Sequence, residues 1–302
     1  MIIMEVIIML INETSKITNL TKKAIEYYIE QNLIFPVMLD NGYRDFSSND
    51  IERLKKISIL RKLGLSTGEI KIVLSDENGD ALKKLSVQNE LNVQRERAKN
   101  AILDKLSCGK SYTEISAELV AIEQSATVTE KLLDAFPGYY GRFITLNWAR
   151  FLNEPIKTDE QKSAYKEILA FLDNVPSLKF PENLQTYIDE ATKNISTIDI
   201  NEMNDKTKQS IENPETFLSE NKEFLEYYLA YMQTDEYKNS PMFQMQSLLI
   251  EFNKTSGYYD ILIPAMKKLS PSYTEYCKQS EIANEKLYAQ YPEAKKFDNC
   301  TK

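Results

Sequence analysis

The sequence contains no histidine, and only three cysteines, eight glycines and one tryptophan in 302 residues. Each shortage removes chemistry. Without histidine, the usual acid–base catalyst near neutral pH and the commonest nitrogen ligand for zinc are missing. Cys108, Cys277 and Cys300 lie far apart and form no C-x-x-C or C-x-C pair. A structural zinc site therefore lacks its ligands, as does a four-cysteine iron–sulfur cluster. Three unpaired thiols fit a reducing, cytoplasmic compartment. No glycine-rich phosphate loop and no nucleophile motif is present, so the chain does not read as an enzyme and implies no cofactor and no metal. Long apolar runs are also missing. The opening MIIMEVIIML is apolar for about ten residues, whereas a membrane span needs roughly 20. It has neither the basic front nor the cleavage site of a signal peptide. No membrane attachment is expected, and Met1–Ile8 reads as sequence ahead of a start at Met9.

Charge is plentiful but unevenly placed. The net charge is −8. Residues 1–74 carry ten Lys/Arg against nine Asp/Glu, residues 75–110 seven against six, and residues 111–302 twenty against thirty. The acid is concentrated in the last two thirds, which suggests separate tasks for the two ends.

The first segment alternates short helical patterns with turns. Asn12–Thr18 fits a short helix, and Asn19 falls where a left-handed residue is needed, a conformation Asn tolerates. Thr21 reads as the N-cap of a helix reaching about Gln31, with Ala24, Ile25, Tyr28 and Ile29 as its buried stripe. Asn41-Gly42 in LDNGYRDF is a hairpin signal. Ser48 opens a further helix that Gly64 stops, and another begins at Ser66 or Thr67. Helix, turn, helix, hairpin and two helices in this order describe a winged helix-turn-helix.

Asp76–Ser107 reads as one long helix, with Gly109 as its stop. Leu91, Ala98, Ile102 and Leu106 recur at spacings of 7, 4 and 4, close to a coiled-coil seam. From Ser111 on, the pattern is all helical. Capping-box spacings occur at Ser111/Glu114, Thr127/Glu130 and Thr158/Gln161. Pro214, Pro241 and Pro271 each follow a capping residue. Thr192–Lys208 is polar and reads as a loop-rich link.

The stretches INETSKITNLTKKAIEYYIEQNLI, NGYRDFSSNDIERL and ILRKLGLSTGEIKIVL resemble the DNA-binding domain of the MerR family of bacterial transcription regulators. They cover about a fifth of the chain, in order and with the usual spacing. The resemblance implies a mainly α fold. It divides the chain into a winged helix-turn-helix with a small β-hairpin wing at 1–75, a long antiparallel dimerisation helix at 76–110, and an all-α effector domain at 111–302. It also implies a homodimer formed through 76–107. Its target would be double-stranded promoter DNA, distorted in response to an effector so that RNA polymerase is affected indirectly. Thr21, Lys22 and Lys23 lie at the front of the recognition helix, where side chains reach base edges and exposed N–H groups favour phosphate. Tyr27 and Tyr28 are placed to contact the backbone, Tyr28 sharing itself with the core. Tyr43 and Arg44 of the wing, and Arg61 beyond it, resemble the family's backbone-contacting residues. Most members carry Arg before the paired tyrosines; this chain has Glu26. A glutamate there either accepts from a cytosine amine or orients Lys22 or Lys23.

The nature of the effector is left to the residues. Metal-sensing relatives place paired cysteines near the end of the dimer helix, and here Cys108 stands alone, a poor metal site. Residues 111–302 hold 26 of the 31 aromatic residues, and aromatic walls with carboxylates suit flat or cationic molecules. The densest stretches nominate Phe136, Tyr139, Tyr140, Phe143 and Trp148, then Tyr227, Tyr228 and Tyr231, then Tyr258 and Tyr259. The small organic effector is thus the leading expectation. Control by a docked protein partner, and metal or redox sensing, stand beside it.

Overall fold

The computed structural model describes residues 8–136 and 138–297. The expectation for Met1–Ile8, all but its last residue, and those resting on Pro137 and Cys300 lie outside the described residues. The chain divides into two units, one up to Leu82 and one from Lys83 onward, and each is described by itself.

The first unit begins with α1 (Ile11–Thr18) and α2 (Lys22–Glu30). Asn19 joins them at φ 54°, the left-handed geometry, and Ser15 Oγ donates to the Leu20 carbonyl to close the turn. A two-stranded antiparallel hairpin follows, β1 (Val37–Met38) and β2 (Arg44–Asp45), with Val37 opposite Asp45 and Met38 opposite Arg44. Next come α3 (Ser48–Lys62) and α4 (Thr67–Ser75). Helix α3 opens at Ser48 as the sequence pattern indicates, and Ser47 caps it in a capping box completed by Asp50. The core is Ile25, Tyr28, Leu33, Ile34, Phe46, Leu54, Ile57, Leu60 and Ile70. These are the apolar positions of three helices and the wing's base, so their burial sets the angle between α2 and the hairpin.

The long helix α5 (Asp80–Ser107) starts four residues later than its pattern suggests. Gly79 adopts φ 78°, and the Asp76 carboxylate accepts from the Asn78 and Ala81 N–H groups. That local turn satisfies the N–H groups a continuing helix would have used. Gly109, at φ 88°, ends the helix as expected.

In the second unit α5 turns back at Gly109 into α6 (Tyr112–Ala135). Ile102, with Ala98 and Leu106 beside it, packs on Ile115 and Ile122 of α6. Val87 and Leu91 pack with Leu133. The stripe expected to meet a second chain is therefore covered by this chain's own next helix. Lys105–Glu118, Arg95–Glu130 and Lys84–Asp134 bridge the two helices in antiparallel register.

After α6 come α7 (Gly138–Ala149), α8 (Asp159–Asn174), α9 (Glu182–Thr192), α10 (Thr197–Glu212), α11 (Pro214–Glu220), α12 (Lys222–Tyr231), α13 (Asp235–Lys238) and α14 (Pro241–Thr255). A π-helical turn at Tyr258–Leu262 leads to α15 (Ile263–Leu269) and α16 (Pro271–Gln290). No strand occurs among the described residues of this unit. Pro214, Pro241 and Pro271 each sit in the first turn of a helix. Two expectations are corrected. Thr127 caps nothing; it lies inside α6 and its hydroxyl donates to the Glu123 carbonyl. The apolar period runs on through that position, and periodicity overrides a capping spacing. The polar stretch expected as a link is largely α10, started by a capping box of Ser196 with Asp199 and anchored by fully buried Ile200. The main core joins α6, α7, α8, α15 and Tyr273 of α16 around Leu132, Trp148, Ile168 and Met266. No described helix is long and apolar enough to cross a membrane.

Candidate nucleic-acid interface

Helix α2 presents one face outward. Lys22, Lys23, Glu26, Tyr27 and Glu30 are all exposed, while Ile25 and Tyr28 enter the core. Thr21 caps the helix by accepting from the Ala24 N–H at 3.1 Å. The charge order on this face is the reverse of what a helix prefers. Its first turn holds no acid and its last turn no base. Two cations at the positive end of the dipole cost about 0.3–1 kcal/mol each. Helix stability therefore does not account for Lys22 and Lys23, and an anion approaching from outside would. A polyanion at this end would meet two ammonium groups together with the helix's own N–H dipoles.

Glu26 is joined to neither lysine by an ion pair among the described residues. The exposed face carries two cations and two carboxylates, Glu26 and Glu30, and is electroneutral overall. Tyr27 is 43% exposed, whereas Tyr28 is 7% exposed and part of the core. The core share of the role expected of Tyr28 is thus present, its ring packing among the residues of the first unit's core.

The wing projects Tyr43, 61% exposed, next to half-buried Arg44 on β2. Gly42 supplies the turn at φ 80°, where a side chain would be strained. The Asn41 carboxamide oxygen accepts from the Tyr43 N–H, and Leu39 N–H donates to the Tyr43 carbonyl at 2.8 Å. Buried Asp50 holds the wing's base to α3: its carboxylate accepts from the Ser47 N–H at 2.9 Å and the Phe35 N–H at 3.4 Å. Arg61 is exposed, and its Nη1 donates to the Leu65 carbonyl at 2.7 Å, bracing the turn between α3 and α4. Phe35, Val37 and Met38 form an exposed apolar flank on the hairpin. Sequence reading passes over them, because the alternation of so short a strand leaves no period to read.

The ten aromatic positions nominated for an effector fall into separate places in the second unit. Phe136 and Trp148 are buried in its main core, with Tyr140 and Tyr258 packed against them. Phe136 meets Tyr140 edge-on at 5.8 Å, and Tyr258 lies 6.1 Å from Trp148 and 5.4 Å from Tyr259. Burial pushes the Tyr140 phenol up to about 12, against hydrogen bonds with Asn253 and Tyr258. Tyr139 and Phe143 join a second cluster with Leu91 and Ile200. Tyr227 is 73% exposed, Tyr228 stacks on Phe224, and Tyr231 meets Tyr237 edge-on. These rings do not line one pocket. The crevice at the edge of the main core, bordered by Gln124, Phe151 and Tyr165, encloses about 10 Å³, too little for an organic molecule. Aromatic residues at helical spacing build this core instead. The sequence reading missed a polar cleft farther along the same unit, where α10 meets α16; Arg150, Asp205 and Tyr276 converge there from three distant segments.

Residues 9–77 match the family model for MerR HTH family regulatory proteins, the span that contains α1 to α4 and the wing. The chain is 38% identical over 66 residues to the HTH-type transcriptional regulator CueR of Yersinia pestis, covering 22% of this chain and 48% of that protein. It is 23% identical over 180 residues to the HTH-type transcriptional activator mta of Bacillus subtilis, 55% of this chain and 66% of the relative. The HTH-type transcriptional regulator TnrA of Bacillus subtilis is 34% identical over 86 residues, 26% of this chain and 76% of the relative. The chain thus spans about half the length of the first of these relatives and about two thirds of the second. No solved structure matches it. All three relatives are named as transcriptional regulators or activators, none as an enzyme. With the helix-turn-helix and wing inside the matched span, and one relative covered over most of its length, the chain belongs to the MerR HTH family of regulatory proteins.

Proposed function

We propose that the chain is a homodimeric, cytoplasmic transcription regulator. It binds double-stranded promoter DNA through α2 and the wing, and a small organic molecule on its helical unit controls it. The observation that carries the DNA reading is the pair of exposed lysines in the first turn of α2, set against the helix dipole and standing in one unit with a hairpin that exposes Tyr43 beside half-buried Arg44. In this reading α2 enters the major groove. Thr21, Lys22 and Lys23 meet bases and phosphates, Tyr27 donates to a phosphate oxygen, and Tyr43 and Arg44 hold the backbone beside the groove. Arg61 has donors left for a phosphate after bracing its own turn. The first segment, 1–75, serves DNA; 76–110 serves dimerisation; 111–302 serves the effector. Because α6 covers the Ala98–Ile102–Leu106 stripe, the dimer contact uses the opposite side of α5, where Val93 and Leu103 are exposed.

Two dimer half-sites bound by tyrosine- and arginine-anchored wings permit the DNA between them to be bent or twisted at the cost of deformation energy. An effector that favours one protomer arrangement shifts that equilibrium by its differential affinity for the two states. The test is selection of random duplex DNA by the purified full chain, followed by anisotropy titration. The expected result is a two-fold symmetric site and a stoichiometry of two chains per duplex. Absence of any selected site would end this reading.

A second reading, control by a docked protein, is supported by Phe224 and Tyr227, which stand exposed on α12. A purified transcription system that responds to small molecules with no other regulatory protein present would remove it.

A further inference from the structure

Helices α10 and α16 enclose a cleft of about 370 Å³, within the range of small-molecule sites. Its aromatic wall is formed by Phe151 and Tyr276, with ring centroids 5.1 Å apart. The Tyr276 hydroxyl has no protein hydrogen-bond partner among the described residues. Burial raises the Tyr276 pKa above its ordinary value, so the phenol stays neutral and able to donate.

The charges around the cleft are mostly committed to one another. Arg150 donates to Asp205 at 3.1 Å and to the Asn204 carbonyl and the Asn147 side chain at 3.3 Å. Its guanidinium also lies 5.9 Å from the Phe151 ring centroid. Lys208 is 3.7 Å from Glu212 on its own helix. These two pairs cancel. Glu275 remains, and it accepts only the neutral amide of Gln279, at 3.1 Å. The cleft therefore offers one unneutralised carboxylate and the Tyr276 ring, which favour positive charge next to a flat apolar body, and the free Tyr276 hydroxyl as a donor to a polar substituent.

We propose that the cleft between α10 and α16 binds a monocationic aromatic small molecule, with its rings against Tyr276 and its positive centre at Glu275. This names the site and ligand class of the effector, and so rests on the small-molecule reading above. An anion would have to break Arg150 away from three acceptors or Lys208 away from Glu212, and would face Glu275 unshielded.

The test uses the full chain and three probes of one shape: N-methylquinolinium (cationic), quinoline (neutral at neutral pH) and quinaldate (anionic). Binding is followed by calorimetry and by fluorescence. The cation should bind more tightly than either neighbour. Glu275→Gln should weaken the cation by about fivefold while leaving quinoline unchanged, the size expected of one partly exposed charge contact. Glu275→Lys should reverse the preference toward quinaldate. Glu275 is exposed, so both variants should keep the wild-type melting temperature, which is measured alongside. Equal binding of all three probes, no binding of the cation, or a cation affinity unmoved by both substitutions would overturn the assignment. Binding to selected duplex DNA is measured on the same samples. Cation binding that ignores Glu275 moves the effector elsewhere, whereas loss of DNA binding in the wild type strikes the regulatory reading itself.

Discussion

Replacing Arg44 by alanine isolates one contact of the wing. Arg44 lies on β2 opposite Met38, is half-buried, and makes no ion pair among the described residues. Its guanidinium is therefore left for an outside anion while its stem lies partly buried. Removing it should cost the fold little, because the hairpin is fixed by its turn and by Asp50 rather than by this side chain. Each phosphate contact adds about 0.9 to the slope of log affinity against log salt on duplex DNA. A dimer carries two copies, so the slope should fall by about 1.8. Between 50 and 200 mM salt the wild type should then lose roughly 12-fold more affinity than the variant. The assay is anisotropy titration on the selected duplex at several salt concentrations, with Lys162→Ala, whose ammonium already pairs with Asp159, as the control. The loss should be similar on unrelated sequences, since phosphate contacts position rather than specify. A slope unchanged within experimental scatter would remove Arg44 from the interface, and an equal fall in the control would show that the effect is bulk charge.

The remaining predictions concern other parts of the chain. Glu26→Gln keeps the shape and removes the charge; if the carboxylate accepts from a cytosine amine, the variant should lose preference at one base pair of each half-site by about 1–3 kcal/mol, read by competition with single-base variants, and an unchanged profile would exclude that role. Gly141→Ala would place a Cβ 1.4 Å from the Phe136 carbonyl oxygen, so the junction of α6 and α7 must shift. The expected loss is about 1–3 kcal/mol or more in a denaturant titration, and a wild-type midpoint would contradict the packing described. For Tyr140 the raised pKa means that the folded state prefers the protonated phenol. The associated stability, on the order of 2–3 kcal/mol for a shift from 10.0 to about 12, is fully present below the unfolded value and is lost as pH rises through the folded one. Tyr140→Phe should therefore show a shallower loss of stability between those values than the wild type, and an identical alkaline limb would refute the burial argument.

The first unit was legible because its determinants are local. Asn19 in a left-handed turn, Thr21 and Ser66 as caps, and Asn41-Gly42 in a hairpin each act within four residues, and each does in the structure what its chemistry dictates. The cleft was not legible, because nothing in the neighbourhood of Arg150 announces that Asp205 and Tyr276 will meet it. The aromatic stretches misled for a related reason: Trp148 and Phe136 look alike in a core and in a pocket, and only the helices packed over them decide. The seam on α5 was read correctly as a buried stripe, but its partner was not. A stripe of Leu91, Ala98, Ile102 and Leu106 specifies that something apolar covers it, not whether the cover comes from another chain or from α6.

That cover has a consequence for the order in which the chain assembles. The contacts between α5 and α6 join residues on either side of one glycine turn, and they need nothing made later in the sequence. Contacts of short sequence separation form early, and segments emerging first from synthesis fold first. The α5–α6 hairpin can thus close while α15 and α16, which complete the main core with α8, are still unmade. A nascent chain would then have hidden this stripe before a second copy could reach it, and pairing of copies would be left to the side of α5 that α6 does not cover.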